Sequence, residues 1–172
     1  MLVMRYALMF AKRKDALPVY MPGEPEAEAW LLNGCKYFNT TEIAYRKFYK
    51  IGNIKLFFMP VNHPVLAYAT RIEYKNCVIV YSGDTMYDKN LIDFATGADL
   101  FICDAAFTQD EHWEDAPHAS AVQAAEMAKR AKVKRLMLTH FSPTADIAKL
   151  LGEAKRVFSH CIVSTRDLVI KV

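Results

Sequence analysis

The sequence predicts an α/β layered domain, on three observations. Helical patterns alternate with short buried-strand runs through the second half of the chain. A hairpin signature, two apolar runs flanking Lys75-Asn76, precedes that half. At 172 residues, the chain is long enough for one well-packed domain and short for two, so residues 1–172 are expected to form a single domain.

The elements follow in order. Leu2 to Lys14 has helical spacing, with Leu2, Tyr6, Met9 and Phe10 on one face. Leu17 to Met21 is a short strand closed by Pro22-Gly23. Glu24 to Leu32 is a helix with Pro25 near its start, acids in its first turn and Asn33-Gly34 as its stop. Tyr37 to Lys50 is ambiguous, with a helix from Thr40 or Thr41 to before Gly52 as one reading. Ile54 to Val61, Val65 to Tyr74 and Cys77 to Tyr81 are strands. Asp88 to Thr96 is a short helix ended by Gly97, and Leu100 to Cys103 a buried strand. Ser120 to Ala131, rich in Ala, Glu, Met and Lys, is a helix. Leu136 to Leu138 is a strand, Thr144 to Phe158 a helix capped by Thr144 or Asp146, and Cys161 to Val163 and Leu168 to Val172 are closing strands.

Composition excludes several classes. A net charge of +3 is too small to indicate nucleic acid by itself. The four cysteines are scattered and contain no Cys-x-x-Cys pair, which argues against a zinc knuckle and fits a reducing cytoplasmic setting. No apolar stretch is long enough to span a bilayer, and the order of apolar and basic residues at the start is the reverse of a signal peptide.

Three segments place chemistry at strand ends: Val61-Asn62-His63-Pro64, Ser82-Gly83-Asp84-Thr85 and Leu138-Thr139-His140-Phe141. Two imidazoles and a carboxylate converging from neighbouring strands are a donor set that zinc accepts. Each segment also has a plainer reading. A lone histidine at a strand end is commonly structural, and Ser-Gly-Asp-Thr fits a turn with an Asp cap. His118 precedes a helix and fits an ordinary N-terminal loop. His112 and Trp113 fall in the polar loop Thr108 to Pro117 and read as surface.

Together with Tyr68 to Glu73, Ala98 to Ala105 and His118-Ala119-Ser120-Ala121, these segments resemble the metallo-β-lactamase fold of metal-dependent hydrolases, from about Pro18 to Val172. The version is closest to the ribonuclease Z and small phosphodiesterase branch. The resemblance implies a partial four-layer αββα sandwich missing its first strands. It implies that His63 binds one metal, Asp84 bridges two and His140 binds the second, the ions being zinc or manganese, two per complete site. It implies further that His118 donates a proton to the leaving group and that Asp104 orients a histidine. A phosphodiester or a small-molecule ester, lactone or thioester is the substrate class implied.

The chain departs from that family in one respect. The family's first metal motif, His-x-His-x-Asp-His, has no counterpart, because none of the five histidines precedes His63. Met1 to Trp30 resembles the helix, strand and helix that follow that motif. The expectation is therefore partial or absent metal in this chain and apolar surface that favours a homo-oligomer. A non-catalytic half fold acting through self-association or a partner is the alternative function. Pro143-Thr144 stands where transfer-RNA-processing relatives carry an Arg-Tyr pair.

Overall fold

The computed structural model describes residues 2–45 and 47–172; Met1, Arg46 and the side chains of Leu2 and Glu28 lie outside the described residues. The chain divides into two compact units, residues 1–44 and 45–172.

The first unit holds α1 (Leu2–Phe10), β1 (Leu17–Met21), α2 (Glu26–Asn33) and β2 (Phe38–Glu42). The α1 helix stops short of Lys14 because Lys12 takes a left-handed conformation (φ 50°). Pro25 sits at the N-cap of α2 and Gly34 at its C-cap, the positions the sequence assigns to a proline start and a glycine stop. The β1 and β2 strands pair in parallel, Leu17 opposite Phe38 through Met21 opposite Glu42.

The helix considered from Thr40 or Thr41 to before Gly52 does not form. Phe38–Glu42 is β2 and Phe48–Ile51 is β3, which pairs antiparallel with β4 (Ile54–Val61). Two β-branched threonines and five aromatics from 37 to 49 favour extended backbone once a partner strand is available. Gly52, at φ 58°, supplies the turn between β3 and β4.

The second unit is built on one seven-stranded sheet in the order β3-β4-β5-β6-β7-β8-β9, completed by β5 (Ala67–Tyr74), β6 (Cys77–Tyr81), β7 (Leu100–Asp104), β8 (Leu136–Thr139) and β9 (Cys161–Val163). Strands β3 to β6 are antiparallel neighbours, joined between β5 and β6 by the Lys75-Asn76 turn. From β6 onward the pairing is parallel. These parallel strands require crossovers, supplied by α3 (Lys89–Phe94), α4 (Ala121–Arg130) and α5 (Ile147–Val157).

The helices bury one face of the sheet. Met59, Ala69, Val80, Phe101, Cys103, Leu136, Leu138 and Cys161 form a continuous core with Leu91, Met127, Leu150 and Ala154. The buried side of α4 is mostly alanine (Ala121, Ala124, Ala125, Ala128), which lets the helix axis approach the strands closely. Ser120 and Gln123 close a reciprocal capping box at its start, Asp88 caps α3 through Asn90 N–H, and Asp146 caps α5 through Lys149 N–H.

Residues 168–172 form no strand, contrary to the sequence expectation. Leu168, Ile170 and Val172 instead line a cleft of about 240 Å³ with Ile79, Leu100 and Met137. Their apolar side chains meet the sheet surface rather than extending its hydrogen-bonded edge. Among the described residues, no helix is long and apolar enough to cross a membrane.

Candidate metal centre

Strand direction gathers the chemistry. Strand β4 is antiparallel to β5, and β5 to β6, so β4 and β6 run the same way; β7 and β8 are parallel to β6. The carboxyl ends of β4, β6, β7 and β8 therefore share one rim of the sheet. His63 follows β4, Asp84 follows β6, Asp104 ends β7 and His140 follows β8. His118 joins them from the loop before α4, where Phe107 and Ser120 make a parallel bridge.

At this rim His140 Nε2 lies 3.6 Å from Asp84 Oδ1, and His140 Nδ1 lies 3.6 Å from Asp104 Oδ1. The His118 ring centre is 4.6 Å from that of His140 and 5.3 Å from that of His63. His118 Nδ1 is 2.7 Å from Asp104 Oδ2. All five residues singled out in the sequence thus sit in one cluster. Asp104, His118 and His140 also offer ligand atoms within 4.8 Å of one another, a spacing at which they could hold a metal ion.

Several residues outside that set hold it in place. Ser82 is buried; its Oγ donates to Gly83 O and accepts from Asp104 N–H at 2.9 Å, tying the ends of β6 and β7 together. Thr85 N–H donates to Asp104 Oδ2 at 3.0 Å, and Thr85 O accepts from Ala119 N–H beside His118. Asp88 caps α3 with one oxygen and receives Asn62 N–H with the other at 3.2 Å, anchoring the turn that carries His63. Sequence reasoning read Asp88 as a helix start only and did not single out Ser82 or Thr85; their place in Ser82-Gly83-Asp84-Thr85 was the available signal.

Two backbone features bear on precision. Gly83 adopts φ 66°, and a Cβ there would come within 2.7 Å of Tyr68 O, so this position excludes a side chain. His140 itself takes φ 61°, a left-handed conformation that costs free energy in a non-glycine residue and concentrates at functional sites.

The electrostatics favour a cation. Asp104 is sealed from solvent, and burial pushes its carboxyl up against the lowering effects of Thr85 N–H, His118 and His140. Its Oδ1 is buried without a hydrogen-bond partner, an arrangement costly enough to call for a positive ligand. Burial, then the negative charges of Asp84 and Asp104, hold the Tyr81 phenol above its ordinary value. His63 Nδ1 is engaged by the Val65 backbone, donating to its carbonyl at 3.0 Å or accepting from its N–H at 3.2 Å according to tautomer. The first tautomer leaves Nε2 as a lone-pair donor.

An α/β sheet whose carboxyl rim collects three imidazoles and two carboxylates presents a donor set suited to a metal ion. Residues 7–141 match the beta-lactamase superfamily domain, and the chain belongs to that family. Over 98 residues the chain is 38% identical to ribonuclease Z of Archaeoglobus fulgidus, covering 55% of this chain and 32% of that protein. It is 34% identical over 108 residues to the probable metallo-hydrolase YhfI of Bacillus subtilis, covering 63% of this chain and 44% of that one. The crystal structure of that Bacillus subtilis protein superposes with a TM-score of 0.85 at 28% identity, over 94% of this chain and 69% of the other. The chain spans between 32% and 44% of the length of these and another of the curated relatives it matches.

Proposed function

We propose that this protein is a metal-dependent hydrolase that cleaves phosphodiesters with a metal-activated water. The observation that carries the reading is the meeting of His63, Asp84, Asp104, His118 and His140 at one rim, around a buried carboxylate oxygen that lacks a hydrogen-bond partner. Imidazole and carboxylate donors suit zinc, and carboxylates also suit manganese. In this proposal His63, Asp84 and His140 would hold the metal, and Asp104 Oδ1 would be a further oxygen donor. Such ions supply a water of lowered pKa and offset the charge that develops on a phosphodiester oxygen.

The remaining chemistry belongs to the protein. Asp104 fixes His118 through Nδ1, leaving Nε2 to give a proton to the departing oxygen. Thr85 and Ser82 hold Asp104 so that this pairing keeps one orientation. Ribonuclease Z among the relatives supports a phosphodiester over a carboxylic ester. The test is hydrolysis of bis(p-nitrophenyl) phosphate by protein that also carries the family's His-x-His-x-Asp-His segment upstream. Turnover that requires zinc or manganese and vanishes in Asp84→Ala is expected; full turnover in Asp84→Ala would overturn this mechanism.

A second reading, a non-catalytic fold that acts by self-association, has its own observation. On the sheet face away from the helices, Ile79, Ile102, Met137 and Ile162 are only half-buried, and Tyr81 is exposed. In the first unit, Val3 and Phe10 on α1 are 82% and 76% exposed. Apolar surface of this kind favours association.

A further inference from the structure

We propose that Trp113, backed by Phe107, is a stacking platform for a flat aromatic group of the substrate. This deepens the phosphodiester reading and rests on it. The two rings lie 5.0 Å apart between centres, tilted by 55°. Phe107 is in turn 6.5 Å from the His118 ring and 6.3 Å from that of His112. An unbroken series of rings therefore leads from the histidine cluster to Trp113.

The loop bearing Trp113 is pinned at several points, none of which uses the indole. Thr108 is buried, and its hydroxyl donates to Glu111 Oε2 at 2.7 Å. Gln109 N–H donates to Glu153 on α5 at 2.8 Å. Lys149, also on α5, grips both oxygens of Asp110 at 2.6 and 2.7 Å. His112 N–H returns to Thr108 O, and Ala116, buried, donates its N–H to Trp113 O. Nevertheless Trp113 remains 52% exposed. A large aromatic on an anchored loop, set against Phe107 and half left in water, is a surface suited to a π-face, since its burial is what normally repays its size.

The chemistry that fits is an aromatic ring joined to the phosphodiester, either a nucleobase or an aryl alcohol. Either stacks on an indole without hydrogen-bond readout. Carried on a phosphate bound among the histidines, such a ring would extend along Phe107.

The test reads binding rather than turnover. The chain has two tryptophans, so Trp30→Phe leaves Trp113 as the sole indole; Trp30 is 73% exposed and its replacement is mild. In the protein carrying that change, adenosine 5′-monophosphate and phenyl phosphate should quench Trp113 fluorescence saturably, and ribose 5-phosphate should not. Tighter binding of the nucleotide assigns the platform to nucleobases, and tighter binding of phenyl phosphate to aryl esters. By calorimetry, Trp113→Ala should weaken the preferred aromatic ligand on the order of tenfold, and Trp113→Phe should restore most of the affinity. Failure of both aromatic ligands to quench, equal quenching by ribose 5-phosphate, or unchanged affinity in Trp113→Ala would overturn the platform. A Trp113 that stacks these ligands in protein inert toward phosphodiesters would retain the platform and sink the hydrolase reading instead.

Discussion

His118 and Asp104 form a histidine–carboxylate pair, 2.7 Å between Nδ1 and Oδ2, in which the carboxylate is completely buried and the imidazole is partly open to solvent. The buried partner fixes the exposed one. If His118 acts as a general acid, His118→Ala should have little effect on bis(p-nitrophenyl) phosphate, whose leaving group departs without a proton. With an alkoxide leaving group the loss should be on the order of 10²-fold or more. Asp104→Asn should produce the same leaving-group dependence, together with a fall in metal content through the lost charge at Oδ1. Equal losses on both substrates would assign His118 to structure or binding.

Gly83 permits no side chain. Gly83→Ala should lower stability by roughly 1–3 kcal/mol, since the new methyl would press on the Tyr68 carbonyl in a left-handed conformation. Because Asp84 is the next residue, metal retention should fall as well. Thermal denaturation and metal analysis of the same sample check both; an unchanged melting temperature would show that this turn relaxes freely.

Asp99 links the start of β7 to β6 and to a surface lysine. The Lys134 side chain, then Val78 N–H at 2.7 Å, hold its carboxyl below the ordinary value. A depressed carboxyl stabilises the fold above its unfolded pKa, so that contribution is present at neutral pH. It should be lost as pH falls below about 4 and through the lowered folded value. Denaturant titrations at pH 7 and pH 3 should show a smaller difference for Asp99→Ala than for wild type. At pH 7 the variant should be weaker by about 1 kcal/mol, mainly through the lost hydrogen bond to Val78.

The sequence as written supplies His63, Asp84 and His140 but no His-x-His-x-Asp-His. A polypeptide of residues 1–172 alone should hold zinc or manganese weakly and at fewer than two ions per chain, by elemental analysis after gel filtration. Asp84→Ala should reduce that content further. Two tightly held ions would mean that ligands outside this trio complete the site.

The half-buried apolar sheet face and the exposed Val3 and Phe10 predict a dimer or larger species. Light scattering across a concentration series checks this, and a clean monomer at high concentration would contradict it.

Much of the sheet was legible because its signals are local. The β5–β6 hairpin is marked by a two-residue polar turn between apolar runs, and α4 and α5 announce themselves by composition and caps. His63, Asp84 and His140 were legible because each closes an apolar run. Residues 37–50 were not, because β2 and β3 owe their extended form to partners at Leu17–Met21 and Ile54–Val61. The same holds for residues 168–172, whose apolar pattern cannot distinguish a strand from a segment lying on a sheet. Asp88 and Thr85 act through residues distant in sequence, Asn62, Asp104 and Ala119, so only the fold reveals what they position. Trp113 read as surface because its link to His118 runs through Phe107, which no spacing rule exposes.

The rim of like-directed strand ends carries one more implication. Its donors lie between positions 63 and 140 and meet only when β4, β6, β7 and β8 are assembled, so an unfolded chain has no comparable site. Any ion that binds there acts by mass action on the folding equilibrium itself. Heat tolerance should then rise with the logarithm of free metal above its dissociation constant, turning the melting temperature into a gauge of which cation the rim prefers.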